Sequence, residues 1–210
     1  VKVGISGAQG TGKSTIIKKL KVDKTICDKY ELVEEITRNV KRKGLDINNQ
    51  GKQYNLTQLL IMNGHIENSL IQNSILDRCA LDGLVYTKYL WEYGKVETWV
   101  MDYALRVFEM LLPKYNHIFY IPPEFKIHDD GVRSVDTGFR DDIVRIFELY
   151  ISTFNINPIK LTGSVDERVK TVKQYLDDTK KEREIELLIN GYTGDDRSEL
   201  IKKHFTLDIK

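Results

Sequence analysis

The stretch Val1-Lys2-Val3-Gly4-Ile5-Ser6-Gly7-Ala8-Gln9-Gly10-Thr11-Gly12-Lys13-Ser14 joins two patterns. Val1, Val3 and Ile5 begin a short apolar run that breaks at Ser6-Gly7, and Ile16, Ile17 and Leu20 recur at helical spacing after Lys13. Between this strand and this helix, Gly7 to Ser14 fits G-x-x-x-x-G-K-[ST]. The glycines let successive backbone N–H groups turn inward around phosphate oxygens, and the start of the helix adds its partial positive charge. By that mechanism Lys13 reaches the β and γ phosphates and the Ser14 hydroxyl ligates Mg²⁺. Gly7, Gln9, Gly10, Thr11, Gly12, Lys13, Ser14 and Thr15 are the residues expected to hold a nucleotide. Composition alone brings the four fixed positions together in roughly one chain in a hundred, and the strand and helix flanks make coincidence rarer still.

Four more short apolar runs follow, at 30–33, 75–77, 117–121 and 159–161, with helical patterns between them. One helix is expected to carry Leu56, Leu59, Leu60 and Leu70, and two more, 81–90 and 99–112, are separated by Gly94 and closed by Pro113. Ile143, Ile146, Phe147 and Tyr150 mark another. Alternating strands and helices call for a parallel sheet with helices on both faces, so the fold class is α/β. Between Glu124 and Arg140 the periodicity is lost and charge and glycine gather, as in an exposed segment. Beyond about Asp178 basic and acidic residues interleave, and a short helical patch is expected near Leu200.

Composition narrows the function. The 210 residues are 41% hydrophobic and 30% charged, enough to bury a core. Their 32 basic and 31 acidic side chains nearly cancel, so no overall field favours a polyanion, and nucleic acid is admitted but not promoted as a partner. Cys27 and Cys79 form no disulfide or zinc pattern, which fits a reducing compartment. The opening run is too short for a signal peptide or a membrane span. A soluble, cytoplasmic protein is expected, in host cytoplasm if the source is viral; a homodimer is compatible with the sequence.

Ligands of an open parallel sheet bind beyond the carboxyl ends of its strands. Glu35 follows the second run with Arg38 one turn on, Asp77 ends the third with Arg78 beside it, and Arg133 and Arg140 lie in the loop after the fourth. Phosphoryl transfer needs a carboxylate at the acceptor hydroxyl and positive charge around the transferring group. Asp77 has two readings, holding a water on Mg²⁺ or orienting the acceptor; the metal shell is preferred for Asp77 and the acceptor for Glu35. Lys13, Glu35, Asp77 and Arg133 are thus the expected catalytic set. Arg78 is expected to contact an anionic group of donor or acceptor, and Arg133 to close over the triphosphate. Tyr54, Tyr86 or Trp91 could stack on a base, although packing explains each as well. Adenine is expected near Thr162-Gly163-Ser164, in the loop after the fifth strand.

Glu35-Ile36-Thr37-Arg38, Asp77 and Asp129-Asp130-Gly131-Val132-Arg133-Ser134 resemble the ribosylnicotinamide kinase domain of NadR-type proteins. Asp77-Arg78 is also similar to the aspartate-arginine pair of thymidylate and deoxynucleoside kinases. The resemblance covers roughly 1–175. It implies a P-loop NTPase fold with a five-stranded parallel sheet, a Mg-ATP donor and a nucleoside-like or nucleoside-monophosphate acceptor. It places Glu35 and Arg38 on the acceptor side, Gln58 as a base-reading amide, and Arg133 in a lid. The expected organisation is a kinase domain over 1–178, with its lid at about 122–140, and a charged extension over 179–210. A kinase acting on polynucleotide ends or bases, and a P-loop ATPase or switch working through a protein partner, are the alternatives.

Overall fold

The computed structural model describes residues 1–45, 54–123 and 137–190. Strand β1 (Lys2–Ser6) is wholly buried. It leads through the glycine loop into α1 (Lys13–Lys21), whose buried face is Ile16, Ile17 and Leu20 and whose last turn carries Lys18, Lys19 and Lys21. Basic side chains there complement the helix dipole. A one-turn helix α2 (Lys24–Cys27), capped by the Asp23 carboxylate on Thr25 N, precedes β2 (Glu31–Val33). Next come α3 (Ile36–Arg42), α4 (Tyr54–Asn68) and β3 (Ser74–Asp77). Helices α5 (Ala80–Glu92) and α6 (Thr98–Leu111) flank Gly94, at φ 64°, and a 3₁₀ turn over Leu112–Lys114 leads into β4 (His117–Tyr120). Helix α7 (Thr137–Thr153), β5 (Ile159–Lys160) and α8 (Val165–Asn190) follow.

The five strands form one sheet in the order β2-β3-β1-β4-β5, every pair parallel. β1 is therefore central, with Ile5 in register with Asp77 on one side and Phe119 on the other. This registry brings the strand ends that carry Ser6, Asp77 and Tyr120 together at one edge, where ligands of an open parallel sheet bind. The α/β class and the five strands agree with the sequence reading.

One large apolar cluster joins α5, α6, β4 and α7 through Leu81, Leu84, Phe108, Leu111, Tyr120 and Phe147. Close packing dictates small residues elsewhere. A Cβ on Gly4, in the middle of β1, would lie 2.5 Å from Cys79 Cβ, so the start of α5 can approach the strand only over a glycine.

Helix α4 differs from expectation. It ends at Asn68, leaving Leu70 beyond it and 76% exposed, and Leu56 is also exposed. Its buried face is Tyr54, Thr57, Gln58, Ile61, Met62 and His65. A partly polar stripe packs inward because α5 offers it partners: Thr87 Oγ1 lies 3.0 Å from Gln58 Oε1, and Gly83 leaves room for Met62 and His65.

Two compact units divide the chain, Val1–Val169 and Lys170–Lys210. In the second, the described residues continue α8, with Thr179 Oγ1 donating to Tyr175 O at 2.7 Å and Lys181 4.0 Å from Asp178. The expected lid string Asp129 to Ser134 and the patch near Leu200 lie outside the described residues. Among the described residues, no helix is long and apolar enough to cross a membrane.

Candidate active site at the strand ends

Gly7, Gly10 and Gly12 give the phosphate loop its shape. Gly10 and Gly12 take φ of 76° and 92°, the left-handed region that L side chains avoid, and a Cβ on Gly7 would stand 2.7 Å from Ile121 O. Gln9 and Thr15 are exposed and Ser14 is half-buried at the start of α1. Thr11 Oγ1 donates to Ala8 O at 2.9 Å, closing the loop on itself.

Lys13 is buried, with Nζ donating to Gly7 O and Ala8 O at 2.6 Å each. Burial, then the nearby Arg78 guanidinium, draws its amine down to about 7 against the pull of Asp82, Asp77 and Glu35. Those four groups are the charges that act on it.

Asp77 is the last residue of β3 and is buried. Burial and the Glu35 carboxylate raise its carboxyl above the usual value. Glu35 lies two residues past the end of β2, at the position preceding α3, but its side chain does not cap that helix. It receives the Thr37 hydroxyl and stands 2.6 Å from Arg78 Nε, with Arg38 Nε 3.6 Å away. Burial opposes ionisation of Glu35; Arg78 and Thr37 overcome it and hold the carboxyl below its ordinary value. Two neighbouring carboxylates are thereby pushed in opposite directions, Glu35 towards the ion and Asp77 towards the acid.

Arg78 is the hub. Its backbone takes φ 74°, uncommon for a residue with a side chain, directly after the strand end. That turn aims the guanidinium at Glu35, with Nη1 3.5 Å from Asp82 Oδ1 and Cζ 5.2 Å from the centre of the Tyr86 ring. The Nε contact is a charge contact, since its N–H is not aligned on the Glu35 oxygen.

Asp82 escaped the sequence reading. It is almost fully buried, accepting Ser6 Oγ at 2.6 Å, Gly7 N at 3.4 Å and Cys79 N at 3.1 Å. One carboxylate thus joins the root of the phosphate loop to Arg78. Its signal was present: Asp82 is three residues past Cys79, the spacing of a reciprocal helix cap, and that cap is observed. Cys79 lies between, Sγ 3.0 Å from Ser6 Oγ, its thiol pushed up to about 12 by burial.

The remaining expected residues are spread more widely. Gln58 is buried and held by Thr87. Tyr86 joins the site through Arg78, its hydroxyl buried beside the guanidinium. Tyr54 Oη is buried with no hydrogen bond among the described residues, whereas Trp91 lies under Lys88 and donates to Thr98 at 3.2 Å, away from the strand ends. Arg140, expected in a loop, lies on α7 and is buried. Arg133 lies outside the described residues. Thr162-Gly163-Ser164 follows β5 and leads into α8. Among the described residues, no cluster of three or more His, Cys, Asp and Glu side chains is arranged to hold a metal ion.

Residues 2–168 match a family model described as AAA domain. No curated protein matches the chain. Among solved structures, deoxyadenosine kinase from M. mycoides with products dCMP and a flexible dCDP bound is similar at TM-score 0.56 and 13% identity, covering 85% of this chain and 100% of that one. The NadR protein in complex with NR gives TM-score 0.60 and 18% identity over 83% of this chain, which spans 51% of the NadR chain. YorR of Bacillus subtilis, in complex with phosphorylated GDP, gives TM-score 0.54 and 15% identity over 84% of this chain and 96% of that one. At these identities the likeness is one of fold alone.

Proposed function

Because the chain belongs to the AAA-domain family matched by residues 2–168, we propose that it uses its phosphate loop to bind ATP and transfers the γ-phosphoryl group to a small nucleoside-like or nucleoside-monophosphate acceptor. One observation carries this reading: the start of α1 and the ends of β2 and β3 gather Lys13, Glu35, Asp77 and Arg78 into mutual electrostatic contact. A phosphate loop with an ionised carboxylate and a fixed guanidinium opposite it has the parts of a transferase.

Lys13 and the backbone N–H groups of Gly10 to Ser14 take the phosphates of the donor. Mg²⁺, which offsets charge on the transferring group, fits the Ser14 hydroxyl and Asp77. Burial, and then the neighbouring Glu35 carboxylate, raise the carboxyl of Asp77, and a divalent cation there would offset both. Glu35 orients the acceptor hydroxyl and accepts its proton, and Arg78 steadies Glu35 and draws negative charge toward the transfer point. Arg38, half exposed beside Glu35, and the buried Gln58 lie on the acceptor side, with adenine by Thr162 to Ser164. Arg133 is assigned to a lid on sequence alone.

The AAA-domain description itself favours a second reading, a nucleotide-hydrolysing switch that acts on a protein partner. Both are tested by incubating the full chain with Mg²⁺ and γ-labelled ATP, alone and with nucleosides, nucleoside monophosphates, nicotinamide riboside or a DNA oligomer, against a Lys13→Ala control. Transfer of label to one small acceptor, lost in the control, is expected. Free phosphate released without any acceptor supports the switch, and label on the oligomer alone overturns the small-acceptor assignment.

A further inference from the structure

Arg168 lies in the first turns of α8, 4% exposed, and spans two loops far apart in sequence. Its Nη1 donates to Thr11 O at 3.0 Å and its Nε to Gly163 O at 2.9 Å. Thr11 stands between two glycines in left-handed conformations, Gly10 and Gly12. For N–H groups of such a loop to face inward toward phosphate, its carbonyls must face outward, and a buried carbonyl needs a donor. Arg168 supplies that donor at Thr11.

The other end of the bridge is equally well defined. Ser164 and Glu167 cap α8 reciprocally, Ser164 N donating to Glu167 Oε2 at 2.7 Å and Glu167 N to Ser164 Oγ at 3.3 Å. Gly163 takes φ 79°, where a Cβ would lie 2.6 Å from Glu167 Oε2. Leu161 N, just upstream, donates to Tyr120 O at 2.9 Å and ties the loop to β4. A planar guanidinium can serve two carbonyls of separate loops at once; a lysine ammonium is a point donor without that fixed fork.

We propose that Arg168 is a positioning residue for the donor nucleotide, a brace that sets the base-side loop Thr162 to Ser164 against the phosphate loop. The inference rests on the reading of these loops as an ATP site. It assigns Arg168 an effect on the donor and none on the acceptor.

The test measures binding of ATP and of inorganic tripolyphosphate to the full chain by calorimetry, for the native protein, Arg168→Gln and Arg168→Lys, together with KM for ATP and for the acceptor. Tripolyphosphate engages the phosphate loop only. A brace predicts that R168Q weakens ATP by about tenfold or more, because the two loops no longer hold the donor together, and weakens tripolyphosphate distinctly less, with the acceptor KM unchanged. R168K, able to satisfy one carbonyl, falls between, and it carries the test if R168Q does not fold. Equal losses for ATP and tripolyphosphate, or no loss for either, overturn the brace. If the native protein binds tripolyphosphate but not ATP, or binds neither, the ATP-site reading fails and the brace fails with it, an outcome seen before any variant is compared.

Discussion

Arg78 Nε and Glu35 Oε1 stand 2.6 Å apart, although one residue follows β3 and the other follows β2. Neighbouring strands thus deliver an acid and a base to one point, and the pair keeps Glu35 ionised. Glu35→Gln removes the proton acceptor while leaving the phosphate loop intact. Turnover is expected to fall by about a hundredfold or more, with ATP affinity within about threefold of the native value. Steady-state kinetics with a parallel nucleotide titration checks this; an equal loss of ATP affinity would move Glu35 to the donor side.

Asp82 gathers Ser6 Oγ, Gly7 N, Cys79 N and, at longer range, Arg78 around one buried carboxylate. Removing it strands several donors and a guanidinium. Asp82→Ala is expected to cost about 3 kcal/mol in urea unfolding. Asp82→Asn is expected to cost less, because the amide oxygen can still accept one of those donors.

Gly4 and Cys79 pack closely, since a Cβ on Gly4 would fall 2.5 Å from Cys79 Cβ. Neither atom is at the end of a flexible chain, so Gly4→Ala is expected to destabilise by about 3 kcal/mol. Cys79→Gly in the same chain removes the collision, and a double-mutant cycle should show coupling of about 1 kcal/mol or more. Additive losses would mean that the strand moves instead.

His65 is buried, and burial followed by the Arg78 charge brings its imidazole from 6.5 down to about 3. The unfolded chain takes up a proton below the ordinary value that the folded chain refuses. The neutral ring's contribution is therefore whole above pH 6.5 and is lost as pH falls toward 3, at about 1.4 kcal/mol per unit. His65→Gln should lose less stability than the native protein between pH 7 and pH 5, by about 2 kcal/mol, in urea unfolding at the two pH values. Parallel pH profiles would show that His65 is not the acid-sensitive group.

The phosphate loop was legible because its chemistry is local: glycines, Lys13 and Ser14 lie within one short segment flanked by a strand and a helix pattern. Strand number was legible for the same reason, each run being apolar and bounded. Strand order was not, since β1 lies between β3 and β4 through pairings that no short window contains. Helix α4 misled because its leucines suggested an apolar stripe, while Gln58 and His65 go inward to meet Thr87 and Gly83. Asp82 and Arg168 were missed because neither lies just after a strand. Their roles come from partners more than seventy residues away, Ser6 for Asp82 and Thr11 for Arg168.

The central place of β1 bears on how the chain reaches its shape. Val3 pairs with Ile75 and with His117, partners 72 and 114 residues further along (75 − 3 and 117 − 3). During synthesis this strand must wait, apolar and unpaired on both edges, for neighbours made much later, and contacts of such separation slow folding. The phosphate loop hangs from its end and cannot be set before β4 arrives with Ile121, whose carbonyl presses on Gly7. Nucleotide capture should thus be among the last properties a nascent chain acquires.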